Sequence, residues 1–129
     1  MKRLLIDTGI YTFALKADGS VVEILRGADL IGFSAISIGE LLSGFKRGGR
    51  QKKKNREELE SFLDSPRVVI YPVDEDTAEF YTDILDELRK IGKHIPTNDM
   101  WIAAVAFQHG LKVFTRDEHF KAIAGLSLV

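Results

Sequence analysis

The sequence predicts an α/β fold, a three-layer α/β/α sandwich with a mainly parallel central sheet. Short apolar runs alternate along the chain with longer segments of helical periodicity. Of the 129 residues, 45% are hydrophobic, which is enough for one core, and no linker or internal repeat divides them. Strands that alternate with helices pair in parallel through right-handed crossovers, so helices cover both faces of the sheet. We therefore expect a single domain over residues 1–129.

The strands are expected in the short apolar runs, and two of the intervening helices have a distinctive pattern. The expected strands are residues 3–6, 30–33, 68–71, 112–115 and 126–129. Residues 77–91 carry one apolar stripe at helical spacing, with acids near its start and basic residues at its end, as the helix dipole favours. Residues 95–99 enter a second helix that is apolar on nearly every face through Phe107 and closes at Gly110. We expect this second helix to be buried.

Four acids are expected at one edge of the sheet. In open parallel sheets, ligands bind beyond the carboxyl ends of the strands. Asp7 directly follows the first strand, and Glu40 lies in the first turns of the helix after the second strand. Asp99 lies in the first turn of the buried helix, and Asp117 follows the strand at residues 112–115. We expect these four side chains to converge.

Three of these acids also have a purely structural interpretation. Asp99 is favoured near a helix start, Asp117 suits a helix N-cap, and Glu40 suits a solvated helix face. Asp7 is harder to explain in this way, because Asp is depleted in strands and here ends an apolar one. Clustered carboxylates raise one another's pKa, and a bound divalent cation removes that conflict. The joint occurrence of the four acids therefore favours a metal site.

The donor types indicate which metal and which chemistry. Hard oxygen ligands favour Mg²⁺ or Mn²⁺ over zinc. The chain has no Cys, and its three His residues, His94, His109 and His119, do not have the spacing of a zinc site. A carboxylate-held Mg²⁺ suits phosphodiester hydrolysis, so a nuclease is the leading functional class.

Hydroxyl groups stand beside the acids in the sequence. Thr97 is expected to cap its helix. The sequence does not decide whether Thr8, Ser37 and Thr115 orient a carboxylate or a water molecule.

Four segments together resemble a known family. They are LIDT at residues 5–8, ISIGELLSG at residues 36–44, NDMWIAA at residues 98–104 and TRDEHF at residues 115–120. In order and spacing they resemble the four acidic motifs of PIN-domain ribonucleases, and more narrowly the VapC toxins of bacterial and archaeal toxin–antitoxin pairs. The similarity extends over essentially the whole chain, including the closing residues 123–129.

The resemblance implies a function and a set of partners. It implies a PIN-like fold and an endoribonuclease dependent on Mg²⁺ or Mn²⁺, with Asp7 and Asp99 as metal ligands and Glu40 and Asp117 completing the catalytic quartet. Glu118 stands next to Asp117 and remains an alternative for the fourth acid. Such toxins form homodimers and are neutralised by a cognate VapB-like antitoxin. Apolar residues of the first helix, Ile10, Tyr11 and Phe13, fit either a dimer interface or the core.

A basic stretch lies between Gly44 and Arg56. It holds seven positive charges in 13 residues and no acid: Lys46, Arg47, Arg50, Lys52, Lys53, Lys54 and Arg56. Because backbone phosphates dominate nucleic-acid affinity, we interpret the first six as candidate RNA contacts. The alternative is a solvated connection whose lysines pair with Glu57, Glu58 and Glu60 at helical spacing.

Composition excludes several other classes. The net charge of −1 excludes a uniformly basic nucleic-acid binder, and the absence of Cys excludes disulfide scaffolds and thiol nucleophiles. The longest apolar run, residues 100–107, is far shorter than the roughly 20 residues of a membrane span. The absence of Cys makes an intracellular, cytoplasmic location the default expectation. Two alternatives stay open. One is a non-catalytic binding or regulatory module, and the other is a phosphoryl-transfer protein with Asp7 as nucleophile, although Gly9 stands where that chemistry requires a second Asp.

Overall fold

A computed structural model describes residues 1–129 and contains one four-stranded parallel sheet. The strands are β1 (Arg3–Ile6), β2 (Leu30–Ser34), β3 (Val68–Tyr71) and β4 (Lys112–Phe114), in the spatial order β3-β2-β1-β4. Strand β1 is central, and its Leu5 lies opposite Gly32 of β2 and Val113 of β4. The predicted parallel sheet is confirmed.

The predicted fifth strand is reduced to a single bridge. Val113 forms one isolated parallel bridge with Leu128, through hydrogen bonds from Val113 N–H to Ser127 O and from Val129 N–H to Val113 O, both 2.9 Å. Because only Val113 pairs with this segment, residues 126–129 lie beside β4 without forming a ladder.

Six α-helices flank the sheet. They are α1 (Thr8–Leu15), α2 (Gly19–Arg26), α3 (Ala35–Phe45), α4 (Lys52–Leu63), α5 (Glu75–Lys90) and α6 (Thr97–His109), with short 3₁₀ helices at Gly49–Gln51 and Glu118–Ala122. Helix α5 begins two residues before the predicted start, because Asp74 and Thr77 form a capping box with two reciprocal 3.0 Å hydrogen bonds. The predicted capping role of Thr97 is wrong. Helix α6 begins at Thr97 itself, after Pro96, and has no side-chain cap.

The core has two halves, one on each face of the sheet. Leu5 points to the side covered by α5 and α6, whereas Leu4 and Ile6 point to the side covered by α1 to α4. This alternation along β1 is what a sandwich requires, since successive side chains of a strand face opposite ways. The predicted buried helix is confirmed as α6, in which the run from Ile102 to Ala106 is almost fully enclosed.

Two residues of the first helix belong to the core. Ile10 and Tyr11 are 0% and 1% exposed, so they are not available to a dimer interface, and only Phe13 is partly exposed. The Tyr11 ring packs edge-on against Phe62 at 5.0 Å and lies 5.6 Å from Phe33. No helix combines the length and the hydropathy that crossing a membrane demands.

Candidate active site

Asp7 lies at the end of β1 and is only 8% exposed. Its backbone is extended, and its side chain caps α1 by accepting a 2.9 Å hydrogen bond from the Ile10 N–H at Oδ1. The other oxygen, Oδ2, accepts a hydrogen bond from the Thr115 hydroxyl. Burial raises the pKa of Asp7 above its usual range, and the charges of Asp117 and Glu40 add to that rise, while the two hydrogen bonds oppose it.

Glu40 approaches the same place from α3. This helix follows β2 directly, because Ser34 ends the strand and caps the helix through the Ser37 N–H at 3.2 Å. The Glu40 carboxylate is exposed and its Oε1 accepts a 2.7 Å hydrogen bond from the Thr8 hydroxyl. The bond joins the segment after β1 to the helix after β2 at the sheet edge.

The carboxylates of Asp99 and Asp117 both contact the imidazole of His119. The Nδ1 atom of His119 lies 3.2 Å from Asp99 Oδ2 and 2.9 Å from Asp117 Oδ1. Asp117 also caps the following 3₁₀ helix by accepting from the His119 N–H at 2.9 Å, so its predicted N-cap geometry and its place in the cluster coexist. Desolvation, followed by the charge of Asp117, raises the pKa of Asp99 to about 6, although His119 acts in the opposite direction.

All four acids line one open cleft of about 420 Å³ at the carboxyl edge of the sheet. The cleft is also lined by Thr8, Gly9, Ile10, Phe13, Ile102 and Arg116. The predicted convergence of Asp7, Glu40, Asp99 and Asp117 is therefore present in the fold, contributed by four separate segments of the chain.

The donor set fits a hard divalent cation. Carboxylate oxygens dominate it, and two carboxylates have a raised pKa because they are buried near like charges. One ligand atom from each of Asp99, Asp117 and His119 lies within 4.8 Å of the others, close enough to share an ion. A cation there relieves the repulsion that the folded chain otherwise retains.

The two candidates for the fourth acid lie in different surroundings. Asp117 is in the cleft with the other three acids. Glu118 is 77% exposed and its carboxylate pairs with Lys121 at 2.8 Å. The geometry therefore favours Asp117.

Two of the three hydroxyls that were left open contact the acids. Thr8 donates to Glu40, and Thr115 donates to Asp7 while accepting from the Asp117 N–H at 2.9 Å. Ser37 is fully buried and its hydroxyl has no hydrogen-bond partner in the protein, so it does not orient a site carboxylate.

Sequence reasoning missed His119 and Arg116 as members of the site. Zinc spacing does not select His119, but its position two residues after Asp117 is a usable signal for contact with that acid. Arg116 gave no signal, because its partner Asp18 lies 98 positions away in the chain. The Arg116 guanidinium pairs with Asp18 through two 2.9 Å hydrogen bonds, and this pairing lowers the pKa of Asp18 and raises that of Arg116.

The basic stretch divides into paired and unpaired residues. Lys53 lies 4.0 Å from Glu57 and Arg56 lies 3.4 Å from Glu60, as the solvated alternative anticipates. Arg47, which follows α3 by two residues, has no ion-pair partner and lines a second open groove together with Glu40. The basic stretch therefore begins next to the acidic cleft.

Comparison with known proteins identifies the family. A family model described as PIN domain matches residues 4–126. Ribonuclease VapC4 of Mycobacterium tuberculosis is 26% identical over 129 residues, covering 100% of this chain and 97% of the relative. Toxin FitB of Neisseria gonorrhoeae is 37% identical over 121 residues, covering 88% of this chain and 87% of the relative.

Solved structures agree with the sequence matches. VapBC2 from Rickettsia felis, bound to a promoter DNA fragment, superposes with a TM-score of 0.86 at 26% identity and covers 98% of this chain and 96% of the other. FitAcB from Neisseria gonorrhoeae gives a TM-score of 0.76 at 30% identity and covers 97% and 95%. These matches confirm the resemblance inferred from the four acidic motifs. With a family match over residues 4–126 and relatives named as VapC ribonucleases and FitB, this chain belongs to the PIN-domain family.

Proposed function

We propose that this protein is a divalent-metal-dependent endoribonuclease and the toxin of a toxin–antitoxin pair. The observation that carries the proposal is the convergence of Asp7, Glu40, Asp99 and Asp117 on one open cleft. Relatives that align over most of both chains are named ribonuclease VapC4 and toxin FitB. As in other parallel sheets, the cleft lies at the carboxyl ends of the strands, where ligands bind.

The four acids have different roles in this proposal. Asp7 and Asp99 hold the cation, Mg²⁺ or Mn²⁺, and Glu40 and Asp117 complete its surroundings. When bound, such a cation neutralises charge on the scissile phosphate and lowers the pKa of a water molecule. Thr115 and Thr8 fix the carboxylates of Asp7 and Glu40 through their hydrogen bonds.

The substrate approaches from the side of the basic stretch. Arg47 is unpaired and shares a groove with Glu40, so it is the candidate for a backbone phosphate beside the cleft. The other candidates from the sequence are also exposed: Lys46, Arg50, Lys52, Lys53 and Lys54. Their charges strengthen attraction for the polyanion at low salt.

The partner in this proposal is a VapB-like antitoxin. Among the structures that share this fold are ones named VapBC2 and FitAB, and one named as a member of the VapBC family of toxin–antitoxin systems. We also propose a homodimer of single-domain chains over residues 1–129, as the family resemblance implies. Co-expression with the product of an adjacent small gene, followed by co-purification and loss of nuclease activity, tests the partner.

The two alternatives have less support. A non-catalytic module has no need for four acids in one cleft, and here all four are present together. An Asp7 nucleophile would lack the second Asp that this chemistry requires, because Gly9 stands at that position.

Metal dependence is the test of the nuclease. Purified protein is incubated with total RNA in Mg²⁺ or in chelator, beside Asp7→Asn and Asp99→Asn. We expect cleavage only in Mg²⁺, and a loss in both variants greater than the roughly 10- to 100-fold that removal of an outer-shell partner costs. Asp64→Asn is the matched control, because Asp64 is exposed at the end of α4, far in sequence from the cleft residues. Equal degradation by the wild type and by both cleft variants overturns the proposal.

A further inference from the structure

Arg116 is held by several side-chain contacts at the wall of the cleft. Its Nη1 and Nη2 atoms each donate to one carboxylate oxygen of Asp18 at 2.9 Å, and Nη2 also donates to the Ser20 hydroxyl at 2.6 Å. The guanidinium carbon lies 4.5 Å from the centre of the Phe13 ring. Three side chains, from α1 and the start of α2, thus fix this planar group.

This planar group is part of the acidic cleft. Arg116 and Phe13 line the same cleft as the four acids, and Arg116 directly precedes Asp117 in the chain. The Arg116 side chain is 40% exposed although it is anchored by three hydrogen bonds. Part of the Arg116 side chain is therefore accessible next to the site of the proposed reaction.

The ion pair makes this arginine a poor phosphate clamp. The carboxylate of Asp18 takes both terminal nitrogens in a bidentate fork, which is the geometry that an RNA phosphate would otherwise occupy. The paired charges also cancel, so the pair adds no net attraction for a polyanion. What the pair leaves available is the plane of the guanidinium, pre-oriented by its partners.

We propose that Arg116, supported by Phe13, is a stacking platform for an RNA base adjacent to the scissile phosphate. This proposal rests on the proposed nuclease function. RNA-binding proteins stack unpaired bases on aromatic rings and on guanidinium planes. Such stacking accepts every base, because each has a π-face. The platform therefore selects unpaired, splayed-out nucleotides over duplex RNA.

The test uses fluorescent single-stranded RNA decamers that carry 2-aminopurine at successive positions, bound in Mg²⁺ to an Asp99→Asn background that does not cleave. Stacking quenches 2-aminopurine, so we expect quenching at one or two positions. Arg116→Lys keeps the charge and loses the plane, and it should remove the quenching and weaken binding by about 5- to 100-fold, as loss of one stacked base does. Because no phosphate contact is lost, the salt dependence of binding should keep its slope.

Two further variants separate the platform from a structural role. Phe13→Leu keeps an apolar support without the ring, and we expect it to reduce the quenching partially. Arg26→Ala is the control, since Arg26 is exposed on α2 and pairs only with Glu23 at 3.8 Å. Far-UV circular dichroism and melting temperature are measured for each variant, so that a misfolded protein is recognised.

The outcomes are distinct. The platform is overturned if Arg116→Lys and Phe13→Leu leave the quenching and the affinity unchanged. It is also overturned if Arg116→Ala loses affinity and lowers the salt slope by about one, because that slope change marks a phosphate contact. If the wild type cleaves total RNA while the Arg116 variants match it, only the platform fails. If the wild type neither cleaves nor binds RNA, the proposed function fails first.

Discussion

The Thr115 hydroxyl donates a hydrogen bond to Asp7 Oδ2 and links two neighbouring strands at the cleft. Asp7 follows β1 and Thr115 follows β4, which are paired in parallel. The same hydroxyl accepts from the Asp117 N–H at 2.9 Å, so one side chain positions two of the four acids. This bond also lowers the pKa of Asp7 against the effect of burial.

Removal of that hydroxyl should weaken metal binding. Thr115→Val keeps the shape of the side chain and deletes the donor, so the pKa of Asp7 should rise and its carboxylate should lose its orientation. We expect metal affinity or nuclease activity to fall by about 10- to 100-fold. Calorimetric titration with Mn²⁺ measures the first, and RNA cleavage measures the second. Thr12→Val is the control, because Thr12 is exposed and bonds only to the Thr8 carbonyl at 3.3 Å. Equal losses in both variants would contradict this role for Thr115.

The metal-free protein should lose stability as pH rises. The pKa of Asp99 is raised from 3.8 to about 6, so between these values the folded chain binds a proton that the unfolded chain has released. The stabilisation is complete below pH 3.8 and is lost as pH rises through about 6. Asp18 and Asp74 have lowered pKa values, so their contributions are already complete above pH 3.8 and do not affect this window.

The measurement is the melting temperature in chelator from pH 4 to 7. We expect it to fall for the wild type and to fall less for Asp99→Asn, and Mg²⁺ should restore the wild type at pH 7, because a cation removes the repulsion. Asp64→Asn should follow the wild type. A difference between wild type and Asp99→Asn that does not change with pH contradicts the shifted pKa.

Local patterns in the sequence were sufficient to predict the strands of the sheet, because strand periodicity depends on residues that are close together in the chain. The runs at residues 3–6 and 68–71 match β1 and β3 at both ends, and the run at residues 112–115 exceeds β4 by one residue, where Thr115 leaves the sheet to contact Asp7. The apolar run at residues 126–129 has strand character but finds only Val113 as a partner, which local sequence does not reveal.

Some residues of the candidate site could likewise be predicted from local sequence, and others could not. The four acids were predictable, because each follows a strand or begins a helix and all such positions share one edge of a parallel sheet. The Arg116 pair with Asp18 was not, because it joins residues 98 positions apart through loop geometry. Thr97 was wrongly expected to cap α6, because Pro96 already supplies the extended residue before the helix.

The basic stretch should contact RNA through Arg47 more than through Lys53. Arg47 is unpaired beside Glu40, whereas Lys53 is 90% exposed and lies near Glu57. We expect Arg47→Ala to weaken RNA binding and to lower the salt slope by about one, and Lys53→Ala to change both less. Fluorescence anisotropy in increasing salt measures affinity and slope together. The triple replacement of Lys52, Lys53 and Lys54 by Ala tests the remaining charge of the stretch. If the triple replacement reduces the RNA affinity and the salt slope more than Arg47→Ala does, the main RNA contact lies on α4 instead.

Gly32 of β2 should be intolerant of any side chain. A Cβ atom there would lie 2.8 Å from Cε2 of Tyr71 and 3.2 Å from the Leu4 carbonyl oxygen, and both neighbours are buried in the sheet. Because the backbone of β1 cannot retreat without breaking the pairing with β2, we expect Gly32→Ala to lower the free energy of unfolding by about 1–3 kcal/mol. Gly44 offers the matched control, since a Cβ atom there meets nothing within 4 Å and the residue lies in α3. Gly44→Ala should therefore raise the free energy of unfolding by up to about 1 kcal/mol. Urea unfolding of both variants decides the matter, and an unchanged midpoint for Gly32→Ala would mean that the Tyr71 ring moves aside freely.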